Sequence, residues 1–259
     1  MPKFAANLSM LFTEVAFLDR FERAAGAGFD AVEFLFPYAF DTREIKARLE
    51  AHRLKLVLHN LPAGDWDVGE RGIACLPDRV DEFRAGVAQG IEVGTALGVP
   101  RLNCLAGKAP IGAADATLRK TFVDNLKFAA AEFSKAGLQL VIEPINSFDI
   151  PGFYLNRTAQ ALAILDEVGA PNAFVQYDIY HAQRMEGEIA ATLAKHLARI
   201  GHLQIADNPG RNEPGTGELN YAFLFAHLDR IGYAGHVGCE YKPATTTEAG
   251  LGWRQRLAS

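Results

Sequence analysis

The chain has 259 residues, 49% hydrophobic and 22% charged, which is enough for one globular domain with a substantial core. Its 26 Lys and Arg against 31 Asp and Glu leave a formal charge of -5, which opposes non-specific attachment to nucleic acid or an anionic membrane and points to a small-molecule partner. Cys75, Cys104 and Cys239 are odd in number and lack metal-finger spacing, and neither an apolar leader after Met1 nor a bilayer-length apolar run is present, so reduced thiols and a cytoplasmic location are expected.

Short β-rich runs begin near Phe4, Ala31, Lys55, Pro100, Leu138, Ala173, Gly201 and Gly235. Helix-period stretches separate them. In the first, Thr13 is the expected cap, Phe17, Leu18, Phe21 and Ala25 recur at three- and four-residue spacing, and Gly26 is the expected left-handed terminator. Further helical patterns cover 41–52, 77–97, 114–136, Thr158–Val168, 188–199 and 220–231. Eight βα units predict an α/β fold, a single (β/α)8 TIM barrel over residues 1–259. A doubly wound open sheet ranks lower, because Ala6-Asn7-Leu8-Ser9 runs into Met10-Leu11-Phe12 without a glycine-rich phosphate fingerprint. Residues 62–75, which follow the third strand, are expected to form a loop over the barrel mouth.

Four polar residues close the last four apolar runs: Glu143 after LQLVI, Asp178 in AFVQYD, Gln204 in GHLQ and Glu240 in GHVGCE. Parallel barrel strands would bring them to one mouth, where three carboxylates and an amide oxygen suit a hard divalent cation, Mg2+ or Mn2+ first and Ca2+ as the alternative, rather than zinc. The two glutamates would then be poised to move protons. Each residue has a plainer reading: a strand-end solvent residue for the glutamates, a cap for Asp178, a barrel-lining hydrogen bond for Gln204. The equivalent placement of all four makes coincidence the weaker account.

The stretches Ala5-Ala6-Asn7-Leu8-Ser9-Met10-Leu11-Phe12, His59-Asn60-Leu61-Pro62-Ala63-Gly64-Asp65-Trp66, Gly69-Glu70-Arg71-Gly72-Ile73-Ala74 and Gly238-Cys239-Glu240-Tyr241-Lys242-Pro243 resemble hydroxypyruvate isomerases and the related 2-oxo-tetronate isomerases of the xylose-isomerase-like barrel superfamily. The resemblance covers nearly the whole chain. It implies an aldose–ketose type isomerase, with Glu143 and Glu240 as the paired proton donor and acceptor and Glu143, Asp178, Gln204 and Glu240 as metal ligands. The wider superfamily often has His where Gln204 stands, a departure that weighs against zinc. His181 and Arg211 match positions that contact substrate hydroxyls or nearby ligands in relatives; their plainer readings are a structural histidine and an arginine pinning its own loop.

The implied reaction takes hydroxypyruvate to tartronate semialdehyde through an enediolate, and the same constellation fits a four-carbon 2-dehydrotetronate. The substrate carboxylate calls for a cation. Arg71, Lys108, Arg211 and Lys242 follow expected strands, with Arg71 and Arg211 favoured for bidentate pairing, and His59 is a further mouth candidate. Three other classes compete: an apurinic-site endonuclease, which calls for a histidine-rich multi-zinc site and a basic face; a non-catalytic sugar-acid-binding barrel; and a Schiff-base aldolase using Lys108 or Lys242. A homo-oligomer is compatible with the sequence.

Overall fold

The computed structural model describes residues 2–257, so Met1 and residues 258–259 of the expected domain lie outside the described residues. Eight strands, β1 (Lys3–Asn7), β2 (Ala31–Glu33), β3 (Lys55–Asn60), β4 (Arg101–Cys104), β5 (Gln139–Ile142), β6 (Ala173–Asp178), β7 (Ile200–Ile205) and β8 (His236–Cys239), pair in parallel in sequence order. β1 also pairs with β8, Lys3 opposite His236 and Ala6 opposite Cys239, which closes the barrel.

Helices follow the strands: α1 (Arg20–Gly26), α2 (Thr42–Ala51), α3 (Val80–Leu97), α4 (Asp115–Lys135), α5 (Thr158–Val168), α6 (Ile179–Met185), α7 (Ile189–His196), α8 (Tyr221–Ile231), α9 (Thr247–Gly250) and α10 (Trp253–Leu257). Local chemistry explains most boundaries. Asp41 and Asn220 cap α2 and α8 by accepting from the amides of Arg43 and Phe223, and α3, α5 and α8 stop at Gly98, Gly169 and Gly232 in the left-handed conformation. The first helix differs from expectation. A 3-10 turn at Phe17–Asp19 precedes α1, Thr13 does not cap it, and the positive φ falls at Gly28 rather than Gly26. α6 and the two short C-terminal helices carry no expected pattern in the sequence.

The larger apolar core lies between barrel and helices, and a smaller one, Ala5, Ala31, Val57, Leu58 and Val141 with Phe174 against it, plugs the barrel interior. Above that plug the interior becomes polar. The 62–75 loop is irregular and is tied to the loop after β4 by a bridge between Gly72 and Ala106. Gly72 has φ +105°, and a Cβ there would overlap the Leu105 carbonyl, so only glycine fits the closure. Glu70 anchors the same loop, accepting from the Asp65 amide and pairing with Arg79 at 2.7 Å.

Candidate active site

Ligand atoms of Glu143, Asp178, His181 and Glu240 all lie within 4.8 Å of one another at the C-terminal ends of β5, β6 and β8, the end at which barrel active sites form. All four side chains are buried. A cavity of about 790 Å3 at the opposite end, against Pro2, Lys3, Phe4 and Asp30, contains none of them.

Asp178 divides its two oxygens. Oδ1 accepts from the Tyr180 amide at 2.8 Å, capping α6, while Oδ2 is buried with no hydrogen-bond partner among the described residues. The cap reading of this residue and the ligand reading are therefore compatible. An orphaned carboxylate oxygen among further carboxylates costs free energy that a cation would recover. Burial pushes the Glu143 carboxyl well above its ordinary range, helped by the charges of Glu240 and Asp178. Burial likewise raises Glu240 to about 8, against the opposing pull of Arg211. Asp178 is pushed up to about 6 by burial, partly offset by Arg211 and by the amides of Tyr180 and His181. Buried oxygen donors short of positive charge fit a hard divalent cation.

His181 has a defined proton. The Asn146 Oδ1 accepts from the amides of Phe148 and Asp149, which turns its NH2 toward His181 Nδ1 at 2.7 Å. Nδ1 is therefore the acceptor and Nε2 carries the hydrogen, 3.6 Å from Asp178 Oδ2 and 3.8 Å from Glu143 Oε1. Burial, with Arg211 and Arg184 nearby, holds the ring well below its usual pKa and keeps it neutral. In this tautomer the Nε2–H faces the carboxylates of Asp178 and Glu143.

Arg211 donates from Nη2 to Glu240 Oε2 at 2.8 Å, with Asp178 at 3.9 Å and Asp149 at 3.7 Å. Its guanidinium also lies over the Tyr180 ring. Burial pulls its pKa down, but the surrounding carboxylates of Glu240, Asp178, Glu143 and Asp149 prevail and raise it. The loop presenting it is organised by Asp207, whose carboxylate accepts from the amides of Asn208, Gly215, Gly217 and Leu219.

Gln204 is buried on β7, paired in register with Asp178 at the end of β6. Its Oε1 accepts from Gln176 Nε2 at 2.6 Å and its Nε2 donates to Glu33 Oε1 at 2.7 Å. The remaining expected residues are placed differently. His59 is not at the mouth: strand alternation turns it outward, its Nε2 facing Gly94 of α3 and its ring parallel to Phe34, and burial lowers its pKa to about 4. Arg71 is engaged in its own loop, donating to the Trp66 and Glu70 carbonyls and stacking 4.0 Å from the Trp66 ring. Lys108 and Lys242 are exposed on the loops after β4 and β8.

Four residues went unread in the sequence. Asn7, Glu33 and Asn60 end β1, β2 and β3 as buried polar groups, and Asn103, buried one residue before the end of β4, donates to Glu143 Oε2 at 3.0 Å. The signal was a polar residue at or next to the end of an apolar run, as in AVE and RLNC.

A closed parallel barrel with an acidic mouth at the C-terminal ends of its strands defines the class: the chain belongs to the xylose isomerase-like TIM barrel family, which matches residues 21–257. Within that family it is an isomerase. It is 57% identical to the hydroxypyruvate isomerase of Escherichia coli over 253 residues, covering 98% of each chain. It is 50% identical to a 2-oxo-tetronate isomerase of Cupriavidus necator, covering 98% of this chain and 97% of that one. A solved structure from Brucella melitensis, described as an AP endonuclease of family 2, superposes with a TM-score of 0.97 at 43% identity over 99% of both chains.

Proposed function

We propose that this isomerase interconverts hydroxypyruvate and tartronate semialdehyde through an enediolate, with a four-carbon 2-dehydrotetronate as the alternative substrate. The observation that carries the reading is the buried pair Glu143 and Glu240, converging from β5 and β8 with raised pKa values beside the orphaned Asp178 oxygen. Carboxyl groups shifted toward neutrality can both accept and return a proton at working pH.

Glu143, Asp178, Gln204 and Glu240 would hold a divalent cation, Mg2+ or Mn2+ by the hardness of the donors. Such an ion supplies Lewis-acid stabilisation of negative charge developing on two neighbouring oxygens. One glutamate removes the proton from the CH2OH carbon; the hydroxyl proton passes to the former carbonyl oxygen, and a proton returns to the adjacent carbon. Atoms balance without an external oxidant. His181 offers its Nε2–H to a substrate oxygen. Arg211, now paired with Glu240, is the cation best positioned for the substrate carboxylate, with Arg71 on the loop above as its companion and Lys108 and Lys242 at the rim. His59 packs behind the sheet and takes a structural role in this reading. The buried free thiols support a reducing, cytoplasmic setting.

Exchange of substrate protons, followed by NMR in deuterated water with each acid in turn, tests the proposal. Metal-dependent turnover should fall about 10²–10⁴-fold in Glu143→Gln and in Glu240→Gln. Turnover of neither acid by the metal-loaded enzyme would reject the substrate assignment. The description of the Brucella structure raises the endonuclease reading, against which stand the net charge and the single imidazole of the cluster. Retention on DNA at low salt, with cleavage at an abasic site, would reverse that judgement.

A further inference from the structure

Glu33 is fully buried inside the barrel, a carboxyl group for which the proposed reaction has no use. It occupies space that a side chain on β8 would otherwise fill: a Cβ at Gly238 would overlap both of its oxygens. Its Oε2 lies 2.6 Å from His202 Nε2, and its Oε1 receives two amides, Asn7 Nδ2 at 3.0 Å and Gln204 Nε2 at 2.7 Å. Asn7 Nδ2 also lies 3.4 Å from Glu240 Oε1. One buried carboxylate thus touches Gln204 directly and Glu240 through a single asparagine.

An amide ligand carries an ambiguity that a carboxylate ligand does not, because one end accepts and the other donates. Only the oxygen can bind a cation. With Gln204 turned round, its oxygen would oppose Glu33 Oε1, an acceptor against an acceptor in a buried layer, and its NH2 would oppose the Gln176 NH2 unless Gln176 turned as well. In the observed orientation Gln204 Oε1 accepts one hydrogen bond, from Gln176, and keeps a second lone pair.

We propose that Glu33 is a positioning residue that fixes the Gln204 amide with its oxygen available to the cation, and that it steadies Glu240 through Asn7. The assignment rests on Gln204 being a ligand. Removing Glu33 leaves the donor set intact but lets the amide flip, so affinity for the ion falls while the barrel stands. Outer-layer partners of metal ligands are commonly worth about 10–100-fold in affinity.

The test measures Mn2+ binding by calorimetry and by electron paramagnetic resonance of the free ion, with metal-free thermal unfolding alongside. Four forms are compared: wild type, Glu33→Leu, Gln204→Leu and the double variant. The expected result is a roughly 10–100-fold weaker Mn2+ affinity in Glu33→Leu, which has no acceptor for the Gln204 NH2, with the metal-free transition preserved, and little additional loss when Glu33→Leu is placed on Gln204→Leu. Unchanged affinity in Glu33→Leu beside weakened affinity in Gln204→Leu overturns the positioning role and leaves the ligand reading standing. Unchanged affinity in Gln204→Leu overturns the ligand role and the inference with it. Equal losses from Glu33→Leu in both backgrounds also overturn it, since Glu33 would then act without Gln204. If Glu33→Leu does not fold, Gly238→Ala displaces the same carboxylate from β8 and must reproduce the loss and the coupling.

Discussion

Asp178 shows how two uses of one side chain can be separated. Asparagine caps a helix about as well as aspartate, so Asp178→Asn should retain the hydrogen bond to the Tyr180 amide and the start of α6. What it loses is a formal charge at the orphaned oxygen. At about 4 Å and an effective dielectric near 20 a unit charge is worth about 4 kcal/mol, so Mn2+ affinity should fall at least about 10²-fold with an unfolding temperature close to wild type, read by titration calorimetry and thermal unfolding. A large drop in metal-free stability would instead make the residue chiefly a cap. The sequence reading reached Asp178 and its three companions because β5 to β8 each end an apolar run on a group with obvious ligand chemistry. It passed over Asn7, Asn60 and Asn103, because asparagine after a strand reads as a turn residue, and over Glu33, because no neighbouring unit offered it a partner carboxylate. Contacts such as Asn103 with Glu143 appear only when the strands are adjacent.

At the level of elements, the starts of all eight strands fall within a residue of expectation, since strands buried on both faces announce themselves by continuous apolar runs. Helix α6 was invisible because Asp178 is both the last residue of β6 and the cap of the helix, leaving no polar gap between them. His59 was misplaced for a related reason: at a strand end the face a residue takes depends on alternation, and Leu58 and Asn60 hold the inward positions. The mouth loop is tested at Gly72. A Gly72→Ala substitution forces a side chain into φ +105° against the Leu105 carbonyl and should cost about 1–3 kcal/mol, visible as a lower urea midpoint and faster proteolysis within residues 62–75. An unchanged midpoint and cleavage pattern would mean that the loop is not held at this point.

For the molecule as a whole, charge is the property least legible in the sequence. A formal charge of -5 conceals Glu143, Asp178, Glu240 and Glu33 gathered within one barrel. Carboxyl groups whose folded-state pKa is raised favour folding fully below the unfolded value and lose that contribution as pH rises through the folded value, here about 6 for Asp178 and about 8 for Glu240. A cation takes the place of the lost protons. The rise in unfolding temperature on adding Mn2+ should therefore be small near pH 5.5 and increase toward pH 8.5, as read by thermal unfolding across that range. A stabilisation independent of pH would place the ion elsewhere.

The loop carrying Arg211 folds around the Asp207 carboxylate, which gathers four of its amides, and is moored to the segment after β8, where the Lys242 amide donates to the Arg211 carbonyl and Asn212 Nδ2 to the Lys242 carbonyl. The reach of Arg211 into the mouth is set four residues upstream, at a group that touches none of the reacting carboxylates. Changing Asp207 should shift the guanidinium and, through its hydrogen bond to Glu240, the charge balance of the mouth, which makes that position a handle on the electrostatics of the site from outside it.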